Sequence, residues 1–405
     1  MNQRISAPVG REPDGFAPWP LTGFAAGAVR PVPFDQFVVK IHSRCNLACR
    51  YCYMYFAADG GWRRQPVTAA PRVLERAASR IAEHAAAHRL PEISVVLHGG
   101  EPLLAGTATL AGFVARVREL VPEGCTVRAG VQTNGTLLTG ERLRELARAG
   151  IAVGLSLDGG LAEHNARRTD HAGRPAWPGI RRAAALLAGP YRHVYGGVLC
   201  VVDPATDPER VYTSLLGLDP PAVNFLLPHG TWSTPPPGLP ADGTATPYGD
   251  WLAAVFDLWW DAGRRRTRVR LFQEAIALLL GAPAATEALG LRPVSAVVIE
   301  TDGAIEQLDA LKTAYEGAAA TGLDIHRHPL DAALAHPGIA ARQAGRAALS
   351  ATCLACPLAE VCGGGNYAHR YRAGEGFRNP SVYCADLRRL LHHIARRVAA
   401  AAVPA

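Results

Sequence analysis

The chain has 405 residues, 49% of them hydrophobic and 19% charged, with a formal net charge of +7. That composition excludes a disordered chain, no apolar run is long enough to span a bilayer, and the length allows one large domain with a smaller one. The positive charge comes almost wholly from arginines scattered over helical stretches, the only lysines being Lys40 and Lys312; this reads as a GC-rich coding bias with solvated helix faces, and no nucleic-acid partner is expected.

Residues 1–36 form an N-terminal extension, polar and rich in Pro and Gly up to Pro20. It has no signal-peptide core, so the expected location is cytoplasmic, where thiols stay reduced. Phe37–His42 alternates as a short strand should. Cys45, Cys49 and Cys52 follow it at C-x3-C-x2-C. Three thiolates at that spacing can hold three irons of a [4Fe–4S] cluster and leave the fourth without a protein ligand. A zinc tetrad normally needs a different spacing and a fourth ligand. From here short apolar runs alternate with helical patterns. The candidate strands are Phe37–His42, Ile93–His98, Thr126–Gln132, Ile151–Leu157, Tyr195–Val202 and Ala222–Leu227. The candidate helices are Ala70–His88, Leu110–Leu120, Gly140–Ala149, Gly179–Leu187 and Pro208–Leu216. This alternation argues for an α/β fold, a partial barrel of six parallel β/α units over residues 37–230, with its chemistry at the strands' C-terminal ends.

Polar and glycine-rich segments fall at those ends. Gly99-Gly100-Glu101-Pro102 follows the second strand; the glycines let backbone approach a ligand closely, and Glu101 offers an acceptor for an ammonium. Gln132 and Asn134 close the third strand, Ser156 and Asp158 the fourth, and Arg168 brings a guanidinium fork suited to a carboxylate. Residues 231–292 are expected to hold most of a Pro-rich loop, Pro228–Pro247, and bridging helices. Residues 293–405 are expected to form a smaller, loop-rich domain that opens on a hairpin about Asp302-Gly303 and ends in a helix from Asp386 to about Val398. Cys353, Cys356, Cys362 and Cys384 lie in it at C-x2-C-x5-C-x21-C, which suits either a second [4Fe–4S] cluster or zinc. Cys125 and Cys200 stand alone in apolar runs, as buried small hydrophobes do.

Cys45-Asn-Leu-Ala-Cys49-Arg-Tyr51-Cys52-Tyr53 resembles the signature of the radical S-adenosylmethionine (SAM) enzymes. The resemblance implies SAM on the open iron and Tyr51 against its adenine. It further implies Gly99, Gly100 and Glu101 at its amino group, Ser156 and Arg168 at its carboxylate, and Asp158 near the ribose. Gln132 and Asn134 would reach ribose hydroxyls or substrate. The C-terminal cysteines resemble the SPASM auxiliary-cluster module, so Cys353, Cys356, Cys362 and Cys384 would hold a second [4Fe–4S] cluster. A complete module has seven cysteines and two clusters. Here Asn366 and Leu308 stand where the pattern has cysteines, so two clusters in total are expected, one catalytic and one auxiliary.

Gly363–Arg372 and Asn224–His229 resemble the FxsB subfamily of peptide maturases. That implies a ribosomal precursor peptide as substrate, an aromatic-to-Cβ (cyclophane) crosslink as product, and a reductant such as flavodoxin or ferredoxin. The released proton needs an acceptor, for which Asp309 is the first candidate and Glu306 the second. A sulfatase-maturase-like dehydrogenase forming formylglycine is the alternative enzyme, and an iron–sulfur or zinc scaffold the alternative outside catalysis.

Overall fold

The computed structural model describes residues 18–19, 30–239, 245–263, 266–284 and 286–402. Most of the N-terminal extension and part of the Pro228–Pro247 loop lie outside the described residues. Strands β1 (Gln36–His42), β2 (Glu92–Gly99), β3 (Thr126–Thr133), β4 (Ile151–Ser156), β5 (Tyr195–Val201) and β6 (Ala222–Leu226) are parallel and adjacent in chain order. Helices α1 (Pro71–Ala87), α2 (Thr107–Leu120), α3 (Gly140–Arg148), α4 (Trp177–Ala188) and α5 (Pro208–Leu216) connect them. Local signals set the helix starts. Proline enters the first turn of α1 and α5, and the side chains of Thr139 and Asp207 accept from Arg142 N and Arg210 N at 3.2 and 3.1 Å.

Strand alternation then sorts side chains between two faces. Phe37, Val39 and Ile41 of β1 and Ile93, Val95 and Leu97 of β2 are buried to 1% exposure or less. The intervening residues include Lys40 and His98, which are register partners across the β1–β2 pair. By the same period Gln132, Ser156, Leu199 and Leu226 fall on the cavity face of their strands, and all four line the cavity described below.

The sheet does not stop at β6. β7 (Arg268–Val269) pairs parallel with β6, and β8 (Ala296–Ile299) pairs parallel with β1. β9 (Ala304–Glu306) and β10 (Ala320–Asp324) continue antiparallel, giving ten strands in the order β10-β9-β8-β1-β2-β3-β4-β5-β6-β7 among the described residues. The hairpin about Asp302-Gly303 is therefore present, but the boundary expected at residue 293 does not divide the sheet. All four residues of β8 are buried, and they cover the open edge that a six-stranded partial barrel leaves on β1.

Helices α6 (Pro247–Trp260), α7 (Arg270–Leu279) and α8 (Cys384–Ala402) pack together behind β6. Tyr248, Phe256, Trp259 and Phe272 are at most 1% exposed, and burying each contributes roughly 2–3 kcal/mol. The start of α6 meets the start of α8: the backbone N–H groups of Tyr248 and Gly249 both donate to Asp386 Oδ1 at 2.9 Å. A Cβ at position 249 would lie 2.6 Å from the Asp386 carbonyl oxygen, so only glycine permits this approach. Among the described residues no helix is long and apolar enough to cross a membrane.

Candidate active site

A cavity of about 420 Å³ opens over the C-terminal ends of the parallel strands. Cys45, Cys49 and Cys52 line it from the loop after β1, Gly99 and Gly100 from the end of β2, and Gln132 and Asn134 from β3 and the turn after it. Ser156, Asp158 and Arg168 follow from β4 and its loop, and Tyr51 joins them. The sequence-predicted residues for the first cluster and for SAM thus converge on one space, except Glu101.

The cysteine loop is tied down before any metal is considered. Leu47 N and Asn134 Nδ2 lie 3.4 and 3.7 Å from Cys45 Sγ, and Cys52 N donates to Cys49 O at 3.0 Å. All three cysteines are free thiols. Burial pushes Cys45 up to about 12 and Cys49 to about 11, and raises Cys52 as well. Thiols held so far above their usual range become thiolates only beside a strong positive charge, which a bound metal centre supplies. Three free thiols lining one cavity are a donor set that fits a metal cluster.

Behind this loop the glycines are sterically required. Gly99 has φ +152, and a Cβ there would lie 2.1 Å from His42 O; a Cβ on Gly100 would lie 1.9 Å from Tyr55 Oη. Glu101 is fully buried and does not line the cavity. Its carboxylate accepts from Asn134 N and Thr133 Oγ1 at 2.8 Å each and from Leu103 N at 3.0 Å. Burial raises it to about 7, partly offset by those bonds. In this arrangement it clamps β2 to β3, with both of its oxygens accepting from groups of the fold. Arg168 also differs from expectation. Its fork is taken by Asp158, with Nε to Oδ2 and Nη2 to Oδ1 at 2.9 Å each, and Asp158 in turn receives the Tyr51 hydroxyl. Gln132 Nε2 donates to Ser156 Oγ at 2.7 Å.

Tyr53, His98 and His229 also line the cavity. His229 Nδ1 lies 3.1 Å from Nε2 of His369, which is 3% exposed. Behind the wall both lysines of the chain are buried on one carboxylate. Lys40 Nζ donates to Asp309 Oδ2 at 2.5 Å and lies 3.2 Å from His98 Nδ1. Lys312 Nζ reaches Glu300 at 2.6 Å, Glu306 at 2.8 Å and Asp309 at 3.4 Å. Burial works to raise the Asp309 carboxyl, and the Lys40 and Lys312 ammoniums overcome it, holding it well below the usual carboxylate range. Burial pushes Glu306 up to about 7 against the pull of Lys312, and pulls His98 and His229 down to about 4. The sequence offers Asp309 and Glu306 as alternative proton acceptors, whereas Lys40, His98, Lys312, His229 and His369 carry no local signal that they form one site with them. The scarcity of lysine was the available signal, and it was assigned to coding bias.

The second cysteine group sits where the C-terminal loops meet α8. Ser350 caps the turn at Cys353, and Arg370 Nη2 donates to Gly363 O and Gly365 O at 2.6 and 2.8 Å, shaping the loop after Cys362. Burial pushes Cys362 up to about 11. Sulfurs around one zinc ion sit about 3.8 Å apart, as a 2.3 Å tetrahedral bond requires. Among the described residues the three-ligand groups gathered within 4.8 Å are His84/His88/Asp331 and Glu300/Glu306/Asp309, and neither contains a cysteine. The four free thiols are a donor set that fits a [4Fe–4S] cluster. Leu308 and Asn366 precede two 3-10 turns, Asp309–Thr313 and Tyr367–Arg370, that pack on each other. Asn366 caps the second turn through Ala368 N, and Leu311, Tyr367, Tyr371 and Phe377 form a small apolar core beside it.

Comparison with known proteins agrees with this site. Residues 39–196 match the model of the radical SAM superfamily. A serine-type anaerobic sulfatase-maturating enzyme of Klebsiella aerogenes is 30% identical over 361 residues, 86% of this chain and 84% of the relative. A cysteine-type enzyme of Clostridium perfringens is 25% identical over 281 residues, 68% of this chain and 74% of the relative. Among solved structures, native anSMEcpe with bound AdoMet and a peptide superposes with a TM-score of 0.76 at 22% identity, over 90% of this chain and 98% of that one. Streptococcus suis SuiB bound to its precursor peptide SuiA gives 0.58 at 14%, over 88% and 76%. These two likenesses speak for the fold.

Proposed function

This chain belongs to the radical SAM family that includes the anaerobic sulfatase-maturating enzymes, and from that premise we propose that it oxidises a side chain of a peptide or protein substrate by two electrons. Bound in the cavity, SAM and the first cluster supply a 5′-deoxyadenosyl radical, and the second cluster supplies an electron acceptor. Cys45, Cys49 and Cys52 would hold the first cluster, and Cys353, Cys356, Cys362 and Cys384 the second. Gly99 and Gly100 let the methionine part of SAM approach backbone, and Tyr51, Asp158 and Arg168 form a rigid polar wall for the rest. His98 and His229 stay neutral and line the same cavity, where a peptide side chain would lie. Asp309, kept ionised behind them, draws off the proton that oxidation releases.

The observation that carries this reading is the buried Asp309 cluster, tied through Lys40 to His98 of the cavity lining that also holds the three cysteines. Serine-to-formylglycine oxidation is the finer outcome that the serine-type relatives support. An aromatic-to-Cβ crosslink in a ribosomal precursor peptide is the second reading. What favours it is that the two segments resembling the crosslinking subfamily meet at the cavity, through His229 and His369. A low-potential donor such as flavodoxin or ferredoxin would reduce the first cluster. Peptide mass mapping after incubation with SAM and reductant tests the proposal. Both outcomes remove two hydrogens from the substrate; a hydrazine-reactive aldehyde marks the first and linked fragments mark the second. Asp309→Asn with iron content unchanged should lower product per 5′-deoxyadenosine by about 10²-fold or more.

A further inference from the structure

Five charged side chains fill the space behind the cavity wall: Lys40 from β1, Glu300 from the end of β8, Glu306 from β9, and Asp309 and Lys312 from the turn after it. Burying such a set is costly, because desolvation offsets most of the mutual attraction. Three carboxylates against two ammoniums leave one negative charge unbalanced. Two carboxylate oxygens, Asp309 Oδ1 and Glu306 Oε2, are buried without a well-angled hydrogen bond, although Lys312 Nζ lies 3.4 and 2.8 Å from them. The cluster thus has room for one more proton, and charge balance asks for it. A bound cation is not the answer, since the Lys312 ammonium already stands between the three carboxylates.

The cluster faces the cavity at one end and solvent at the other. The cavity-lining residues Tyr53, His98 and His229 all feel the charge of Asp309. At the far end the Glu306 side chain is 15% exposed, whereas those of Lys40, Glu300, Asp309 and Lys312 are at 1, 4, 8 and 8%.

We propose that this cluster is the proton outlet of the cavity, in which Lys312 passes the proton taken up by Asp309 on to Glu306. The inference rests on the oxidation read above. Each turnover releases one hydrogen atom to the deoxyadenosyl radical, one electron to an iron–sulfur acceptor and one proton. The proton goes to the Asp309 carboxylate. Lys312 gives one of its protons to the Glu306 carboxylate and takes the one on Asp309. Asp309 returns to the ionised state, Lys312 is unchanged, and Glu306 leaves as a carboxylic acid that exchanges with solvent. Glu306 is the member suited to this, because burial, opposed by Lys312, sets it at about 7, while Asp309 lies far lower. The groups facing Glu306 are Lys312, Glu300 and Asp309, with Lys40 and His98 one contact further. Glu306 is a positioning residue for the proton and does not touch substrate.

Infrared difference spectra of the reconstituted holoenzyme across pH 5–9 test the assignment without any peptide. Two carboxylic-acid components titrating near 7 are expected in the wild type, from Glu306 and from buried Glu101; Glu306→Gln should lose one of them and Glu306→Asp should regain it. With peptide, wild-type turnover should fall as pH drops through about 7, since a protonated Glu306 accepts nothing. Glu306→Gln should lack that limb and give roughly tenfold less product per 5′-deoxyadenosine. A band of undiminished intensity and an acid limb that survives in Glu306→Gln overturn the proposal. Because the spectra need no substrate, they separate its failure from failure of the peptide reading.

Discussion

Lys40 on β1 and Asp309 after β9 are 269 residues apart in sequence and 2.5 Å apart in space. Their ion pair, at 1% and 8% side-chain exposure, joins the first strand of the barrel to the C-terminal residues directly behind the cavity. Replacing Lys40 with Met should cost about 3–5 kcal/mol, because three buried carboxylates then share one ammonium. Adding Asp309→Leu should recover part of that loss. Denaturant unfolding of the two variants measures both effects, and an unaltered single variant would show that the pair contributes nothing.

Asp158 organises the polar wall, since it holds both arms of the Arg168 fork and the Tyr51 hydroxyl. An amide at this position keeps one acceptor and presents a donor to the guanidinium. Asp158→Asn should therefore weaken SAM binding about tenfold or more, in line with losing one charged hydrogen bond. Equilibrium dialysis with the reconstituted protein reads this, and iron content serves as the control for folding.

Iron should divide evenly between the two cysteine groups, at about eight atoms per chain. Replacing Cys45, Cys49 and Cys52 with Ala should leave about four, and so should replacing Cys353, Cys356, Cys362 and Cys384. Gly100→Ala should mimic the first loss. Its Cβ would meet Tyr55 Oη and the Arg44 backbone, whose carbonyl carbon lies 2.4 Å away, and so displace the loop carrying Cys45. Zinc in place of iron at the second group would contradict the assignment.

The raised carboxyl of Glu306 has a stability consequence of fixed sign. Its folded value of about 7 exceeds the ordinary value of 4.5, so its favourable contribution is complete below about 4.5 and lost as pH rises through about 7. Buried neutral His98 and His229 act oppositely, costing stability as pH falls from about 6.5 toward their folded values near 4. The difference in Tm between Glu306→Gln and wild type isolates the first effect. It should grow from pH 5 to pH 8 in favour of the variant; a flat difference would place Glu306 in the ordinary carboxylate range.

The radical SAM core was legible because its signals are local. Strand alternation, helix caps and glycines at strand ends place each of β1 to β6 within about two residues of its predicted bounds. The C-x3-C-x2-C spacing of Cys45, Cys49 and Cys52 is likewise a local signal, contained in eight residues. Contacts between distant segments were not legible. Nothing near Ala296–Ile299 says that it will pair with β1, and nothing near Arg168 says that Asp158 will occupy its fork. Glu101 reads as a ligand-binding acid in sequence, yet its oxygens meet Asn134, Thr133 and Leu103, contacts set by the β2–β3 register. The pair of lysines was visible in the composition, but only folding brings both onto Asp309.

Isotope transfer from the substrate tests the central claim most directly. The reconstituted enzyme is incubated with SAM, reductant and a peptide deuterated at side-chain carbons, first at the serine of a sulfatase-type sequence and then at residues of a precursor peptide. Deuterium is expected in 5′-deoxyadenosine, in proportion to a peptide product two hydrogens lighter. Cleavage of SAM with no deuterium transferred from either peptide, and no change in peptide mass, would contradict it.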